Sequence, residues 1–287
     1  MRIEVIGARG QLGRELLRVL SLTAHQTSGH DLDAVDVTNA ASVARLLDTV
    51  APDAVINCAA WTEVDAAEAN AEAARAVNGA GPGILAEACH DRDILLCHLS
   101  TDYVFDGRAS APIDETAIPS PRSTYGRTKL AGEEAVRQTW ARSQIVRTAW
   151  LYGQEGPNFV LTMLRLAREA RVLRVVADQR GSPTWTGHLA PALVRLVERG
   201  TAGTYHLTNS GVASWYEFAE AIVHDAGLRA RVEPITTSEY PVVAERPAYS
   251  VLDNRAWRRL GEAPLPDWRE GLRGYLSQRG LLRDATG

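Results

Sequence analysis

Tyr125 and Lys129 stand four residues apart in Tyr125-Gly126-Arg127-Thr128-Lys129, a spacing that puts both side chains on one face of a helix. A tyrosine hydroxyl ordinarily titrates near ~10, too high for efficient proton transfer at neutral pH. An ammonium one turn away favours the phenolate and is expected to bring that value down. Its compact donors can also hold ribose hydroxyls, a task that a planar guanidinium matches poorly. Composition adds weight, because Lys129 is the one lysine among 31 basic residues. The bland alternative is a surface lysine on a helix. A second group lies upstream, in Leu99-Ser100-Thr101-Asp102-Tyr103-Val104-Phe105. It follows the apolar run Ile94–Leu99, so the Ser100 and Thr101 hydroxyls fall at the carboxyl edge of an expected strand, where α/β sheets place ligands. A hydroxyl there can donate to a carbonyl oxygen and, with Tyr125, stabilise a developing alkoxide.

The third group is Gly7-Ala8-Arg9-Gly10-Gln11-Leu12-Gly13, between the first apolar run and the first helical pattern. The first glycine permits a tight turn, the second lets a pyrophosphate approach the backbone, and the third lets helix and strand pack closely. The helix start then offers unpaired N–H groups to phosphate. Such a turn predicts a dinucleotide site. The stretch where NAD-preferring sites carry a carboxylate reads His25-Gln26-Thr27-Ser28-Gly29-His30, with none before Asp31, while Arg9 can meet a 2′-phosphate. NADPH is therefore the expected cofactor, with NADH the alternative.

These groups need a scaffold, and the chain supplies a regular one. The runs Ile3–Gly7, Ala54–Asn57, Ile94–Leu99 and Gln144–Arg147 read as buried strands, alternating with helical periods at Leu12–Leu20, Ser42–Val50, Gly81–Ala88 and Thr128–Trp140. That alternation predicts an α/β fold, a Rossmann-like doubly wound parallel sheet with a smaller C-terminal substrate-binding lobe. The core is expected over 1–149 and about 172–203, with 150–287 mainly the lobe. Within the lobe, Phe159–Ala170, Leu189–Glu198 and Trp215–Ala226 read as helices and Leu173–Ala177 as a strand, ahead of a stretch punctuated by Pro234, Pro241 and Pro247.

The 287 residues, 45% hydrophobic with a net charge of −4, exclude a disordered chain and give no electrostatic reason to bind nucleic acid. No apolar run approaches the ~20 residues of a membrane helix, and no signal-peptide pattern opens the chain, so a cytoplasmic protein is expected. Cys58, Cys89 and Cys97 read as buried structural thiols, and no Cys/His spacing suggests a metal site.

With these motifs the chain resembles the extended short-chain dehydrogenase/reductases, and within them the dTDP-4-dehydrorhamnose reductase family. The resemblance is carried by the glycine turn, Asp36-Val37-Thr38, Asn57-Cys58-Ala59-Ala60-Trp61-Thr62-x-Val64-Asp65-x-Ala67-Glu68, Ser100 to Gly107, Tyr125-Gly126-x-x-Lys129, and Arg147-Thr148-x-Trp150-Leu151-Tyr152-Gly153. Asn158-Phe159, Asp178-Gln179-x-Gly181-x-Pro183-Thr184 and Arg246-Pro247 extend it. It implies reduction of a dTDP-4-keto-6-deoxyhexose by NAD(P)H, with Thr101, Tyr125 and Lys129 as the catalytic set and Tyr125 the proton donor. Gly7, Arg9, Gly10, Gln11, Leu12, Gly13, Asp36, Val37, Ala59, Ala60, Asn78 and Ser100 would meet the cofactor, together with Tyr125 and Lys129. Thr62, Val64, Asp65, Asp102, Trp150 and Asn158 would join Thr101 and Tyr125 around the sugar nucleotide. Some members dimerise around magnesium held by glutamates; Glu15 matches one such position, but no carboxylate stands near Gly187, so monomer and homodimer stay open and no metal ligand is assigned. A sugar-nucleotide dehydratase would need Asp-Glu after the threonine, where this chain has Asp102-Tyr103. Reduction of a different dTDP-deoxysugar, or a regulatory subunit like that of methionine adenosyltransferase, are the other readings.

Overall fold

The computed structural model describes residues 1–240 and 242–283; Pro241 and the last four residues of the expected lobe lie outside them. In chain order the elements are β1 (Arg2–Ile6), α1 (Gln11–Leu20), β2 (Gln26–His30), α2 (Ala40–Val50), β3 (Ala54–Asn57), α3 (Val64–Ala69) and α4 (Ala71–Arg75). A π-helical turn over Ala76–Ala80 leads into α5 (Gly81–His90), β4 (Leu95–Thr101), α6 (Thr124–Thr139) and β5 (Ser143–Thr148). Then come β6 (Leu151–Tyr152), α7 (Phe159–Glu169), β7 (Val172–Val176), β8 (Arg180–Gly181), β9 (Thr184–Trp185), α8 (Thr186–Arg199) and β10 (Gly203–His206). The chain continues through β11 (Ala213–Ser214), α9 (Trp215–Asp225), β12 (Arg231–Ile235), α10 (Arg255–Arg259) and α11 (Trp268–Gln278).

Six strands form one parallel sheet in the order β10-β5-β4-β3-β1-β2. From β1 the chain steps outward to β2, then crosses to β3 on the other side, so the strand order reverses between β1 and β3. That reversal opens a crevice at their carboxyl ends, the place where such sheets bind ligands. Because β4 is buried on both faces, its side chains alternate between two cores. Leu95, Cys97 and Leu99 pack with α1 and α8, whereas Leu96 faces the cluster of α2 and α5 that also takes in Val136 of α6. The sheet is thus Rossmann-like and doubly wound.

The second half departs from the expected division, and one departure is α10, which buries Trp257 in the sheet core together with Leu265. Helix α8 packs its Leu189, Leu193 and Val197 against the sheet core, and β10 extends the sheet beside β5. Strand β7 does not join that sheet: it pairs with β12 and buries Leu173 and Val175 among Phe218, Trp268 and Tyr275 of a separate core. Only part of 172–203 therefore belongs to the layer of the central parallel sheet. The reason is geometric, since β5 already has β10 on its free edge and leaves β7 no slot.

Gly7 adopts φ +80°, and a Cβ there would stand 2.6 Å from the Ala59 amide nitrogen. The β1 and β3 loops meet at that spacing. A Cβ at Gly13 would lie 2.2 Å from the Gly7 carbonyl oxygen, so the helix can sit this close to the turn only without a side chain. Gly13→Ala is expected to cost about 1–3 kcal/mol by overpacking and to weaken dinucleotide binding. Thermal denaturation with and without NADPH checks it, and an unchanged midpoint in both conditions would contradict the packing argument.

Candidate active site

Helix α1 begins after Gly10, which has no side chain to cap it, so its first-turn N–H groups face outward without a side-chain acceptor. This glycine-lined turn, with Gly10 open on its outer side, fits the phosphates of a dinucleotide. Gln11 offers only its backbone to such a ligand. Its side-chain carbonyl accepts from Gly153 N at 2.9 Å and its amide donates to Pro157 O at 3.0 Å. Leu12 is a core residue, likewise presenting backbone alone. Arg9 is exposed and pairs with Asp33 at 2.5 Å, while its N–H donates to Asp31 at 2.9 Å. A 2′-phosphate at Arg9 must therefore replace Asp33. Asp36 accepts from the Thr38 amide and hydroxyl, bonds that hold its carboxyl below the usual range, and Val37 packs against the start of α5 at Gly81. Ala59 and Ala60 lie just past Cys58 after β3, both half-buried, with the Ala59 backbone against Gly7.

Across the crevice, Thr101 ends β4 and Tyr125 lies in the first turn of α6, whose start is fixed by the Ser123 side chain accepting from Gly126 N. Burial pushes the Tyr125 phenol up to about 12; the Thr101 hydroxyl acts in the opposite sense, and the Asp102 carboxylate reinforces the rise. Lys129, buried, donates from Nζ to the Leu99 carbonyl at 2.6 Å, and burial lowers it to about 8. The expected depression of the phenol by this ammonium is not what the site displays. Desolvation of the phenolate sets the direction, and one ammonium proton is committed to the strand. The phenol is consequently a retained acid at neutral pH. Thr101 donates to Asp102 Oδ1 at 3.0 Å, and burial lifts the Asp102 carboxyl to about 6 against that hydrogen bond.

Other residues read from the sequence have their polar side-chain atoms engaged by protein. Ser100 shares a strand face with Leu96 and His98 and donates to Glu133 at 2.6 Å, away from the Thr101 hydroxyl. Asn78, in the π-helical turn, accepts from Trp61 N at 2.8 Å and donates to Trp61 O at 3.0 Å. It therefore pins the loop that carries Thr62 and Val64 and does not reach toward a cofactor with its amide. Thr62 is exposed and Val64 half-buried at the start of α3. Asn158 caps α7 by accepting from Leu161 N and donates to Gly153 O at 2.9 Å. Asp65 accepts from Arg246 at 2.6 Å and from Ala244 N at 3.0 Å, tying α3 to the C-terminal segment.

Trp150 has φ +48° and stacks flat on Trp215, with ring centroids 3.5 Å apart and planes within 2°. Trp215 in turn donates from its indole N–H to Gln179 at 3.2 Å. Trp215 and Asp33 escaped the sequence reading, since their partners are 65 and 24 positions away and no local pattern marks such pairs. Glu15 is buried and paired with Arg18 at 2.6 Å. Among the described residues no three His, Cys, Asp or Glu side chains are grouped to hold a metal, and no helix is long and apolar enough to cross a membrane. Cys89 and Cys97 are buried and Cys58 half-buried, all three free thiols.

The RmlD substrate binding domain family matches residues 1–280. A dTDP-4-dehydrorhamnose reductase of Burkholderia thailandensis is 43% identical over 94% of this chain and 96% of its own. A probable dTDP-4,6-dihydroxy-2-methyloxan-3-one 4-ketoreductase of Streptomyces antibioticus is 44% identical over 95% of this chain and 94% of its own. The crystal structure of a Bacillus anthracis dTDP-4-dehydrorhamnose reductase in complex with NADP superposes with a TM-score of 0.95 at 38% identity, covering 96% of this chain and 99% of that one.

Proposed function

The chain belongs to the RmlD substrate binding domain family, and on that premise we propose that it reduces the C4 keto group of dTDP-4-dehydro-L-rhamnose to the alcohol with NADPH. The observation that carries this reading is the meeting of Thr101 with a protonated, half-buried Tyr125 at the sheet edge beside the uncapped glycine turn. When bound, NADPH supplies the hydride for C4. The first-turn N–H groups of α1 hold the pyrophosphate, and Lys129 keeps its remaining ammonium protons for the ribose. Tyr125 delivers its phenolic proton to the C4 oxygen, and the Thr101 hydroxyl stabilises the charge developing there. The Asn78-pinned loop, with Thr62 and Val64, and the Trp150 indole line the sugar side. Preference for NADPH is supported by the NADP complex of the Bacillus anthracis relative and by Arg9, once it exchanges Asp33 for the 2′-phosphate.

Reduction at C4 of another dTDP-deoxysugar is favoured by one observation, the similarity to the Streptomyces antibioticus ketoreductase. Loss of nicotinamide absorbance, followed separately for NADPH and NADH with dTDP-4-dehydro-L-rhamnose, tests the assignment. Turnover with NADPH, with dTDP-L-rhamnose as product, is the expected result. Turnover confined to a different keto sugar nucleotide would shift the assignment to the second reading, and turnover with none would end both.

A further inference from the structure

Behind Lys129 lies a charged assembly that the reaction as described leaves unused. One helical turn further along α6, Glu133 is completely buried. Its carboxylate accepts from Ser100 Oγ at 2.6 Å, from Arg147 Nε at 2.9 Å and from Arg147 Nη2 at 2.6 Å. Arg137 approaches the same carboxylate at 3.5 Å. Arg147, also buried, lies 5.1 Å over the Phe105 ring and reaches His206 Nε2 at 3.4 Å. Such a pair is weak support for stability, since stripping two charges of water costs about as much as their attraction returns. Its anchors have a pattern instead. Ser100 precedes Thr101 on β4, and Glu133 follows Lys129 on α6, so both carry a residue of the proposed catalytic set next to a partner of the carboxylate.

We propose that Glu133 is a positioning residue for Lys129: its carboxylate, fixed by Arg147 and Ser100, keeps the ammonium form of Lys129 in a site whose burial disfavours charge. The groups around Lys129 leave this task to Glu133. From β4, the Leu99 carbonyl takes one proton, and His98 is held neutral by burial and by Lys129 itself. From the end of β3, the Cys58 thiol is raised by burial to about 12 and stays protonated. From α6, Tyr125 is likewise protonated, and Arg137 stands half-exposed beside Glu133. From β5, Arg147 is spent on Glu133, with His206 of β10 behind it, lowered by burial to about 3. Among the described residues, Glu133 is the one carboxylate acting on Lys129, and it opposes the lowering that burial imposes.

The solitary lysine makes the test direct. Protein grown with carbon-13-labelled lysine gives one side-chain signal, and its pH titration reads Lys129 alone. Glu133→Gln is expected to move the midpoint down by about one pH unit or more, as loss of a buried charge one turn away requires. Glu133→Asp, which keeps the charge, should restore most of that shift. If the glutamine variant does not fold, Glu133→Gln combined with Arg147→Met replaces the pair by neutral partners and is expected to move the midpoint in the same direction. A midpoint unmoved in the folded variant overturns the proposal. The kinetic arm rests on the proposed role of Lys129: the alkaline limb of kcat should move with the signal. A shifted signal with a stationary limb keeps Glu133 in its role and removes Lys129 from the catalytic set.

Discussion

Tyr125→Phe is expected to lower kcat for keto-sugar reduction by roughly 10²–10⁴-fold, the usual contribution of a positioned general acid. The change deletes one hydroxyl and leaves the ring, so its edge contact with Tyr103, at 5.5 Å between centroids, survives. Ser123 still caps the helix, and the Thr101 hydroxyl keeps its bond to Asp102. Binding should accordingly be preserved, with KM for the sugar nucleotide and the affinity for NADPH within a few-fold of the parent. Steady-state NADPH consumption, together with NADPH titration of the same preparation, separates the two effects. A variant within tenfold of the parent kcat would mean that the proton comes from elsewhere, and Asp102, lifted by burial to about 6, would be the next group to examine.

Lys129→Arg is expected to be nearly as damaging, at 10²-fold or more, although it keeps a positive charge. The side chain has 2% of its surface exposed and directs a 2.6 Å hydrogen bond at the Leu99 carbonyl. A planar guanidinium is larger than that space, and its fixed fork cannot serve a strand carbonyl and ribose hydroxyls at once. The parent and the variant also differ in pH dependence. With Lys129 lowered to about 8, its ammonium is present below that pH and lost as pH rises through it. Parent activity should therefore be level between about 6, where Asp102 titrates, and about 8, and fall on the alkaline side. Tyr125, raised to about 12, adds no limb in that range. The residual activity of the arginine variant should show no such fall, because a guanidinium does not titrate there. Near-parental activity in the variant would show that charge alone suffices.

How much of this can be read from the chain differs between scaffold and site. The central strands are legible because a parallel sheet covered on both faces is a run of apolar residues, and Ala54–Asn57 is found at its observed bounds. Strand β2 reads Gln-Thr-Ser-Gly-His and has no such run; it is an edge strand, held by its pairing with β1 and by His30 bonding to buried Glu4 at 2.8 Å. Strand β10 is placed by β5 and not by its own four residues. In the site, residue type and spacing single out Thr101, Tyr125 and Lys129 as candidates, because the chemistry proposed for them is local. They do not reveal which polar atoms are already taken. Gln11 is spent on Gly153 and Pro157, and Asp65 on Arg246, through contacts that exist only once the chain is folded. The pull of an ammonium on Tyr125 was the natural inference from spacing. Burial, which spacing does not encode, decides the sign.

The placement of β10 has a consequence for how the molecule comes to exist. Strand β5, all six of its residues buried, ends at Thr148, and its outer edge is paired only by Gly203–His206. On the ribosome, more than fifty further residues must emerge before that edge is covered. Throughout the interval the growing chain exposes a row of unpaired N–H and C=O groups flanked by apolar side chains, a template for pairing with a neighbouring nascent chain. Aggregation during synthesis should therefore be most sensitive to delays between residues 148 and 206. A chain shortened just before Gly203 should accumulate as insoluble material even though its glycine turn, Thr101, Tyr125 and Lys129 are all present.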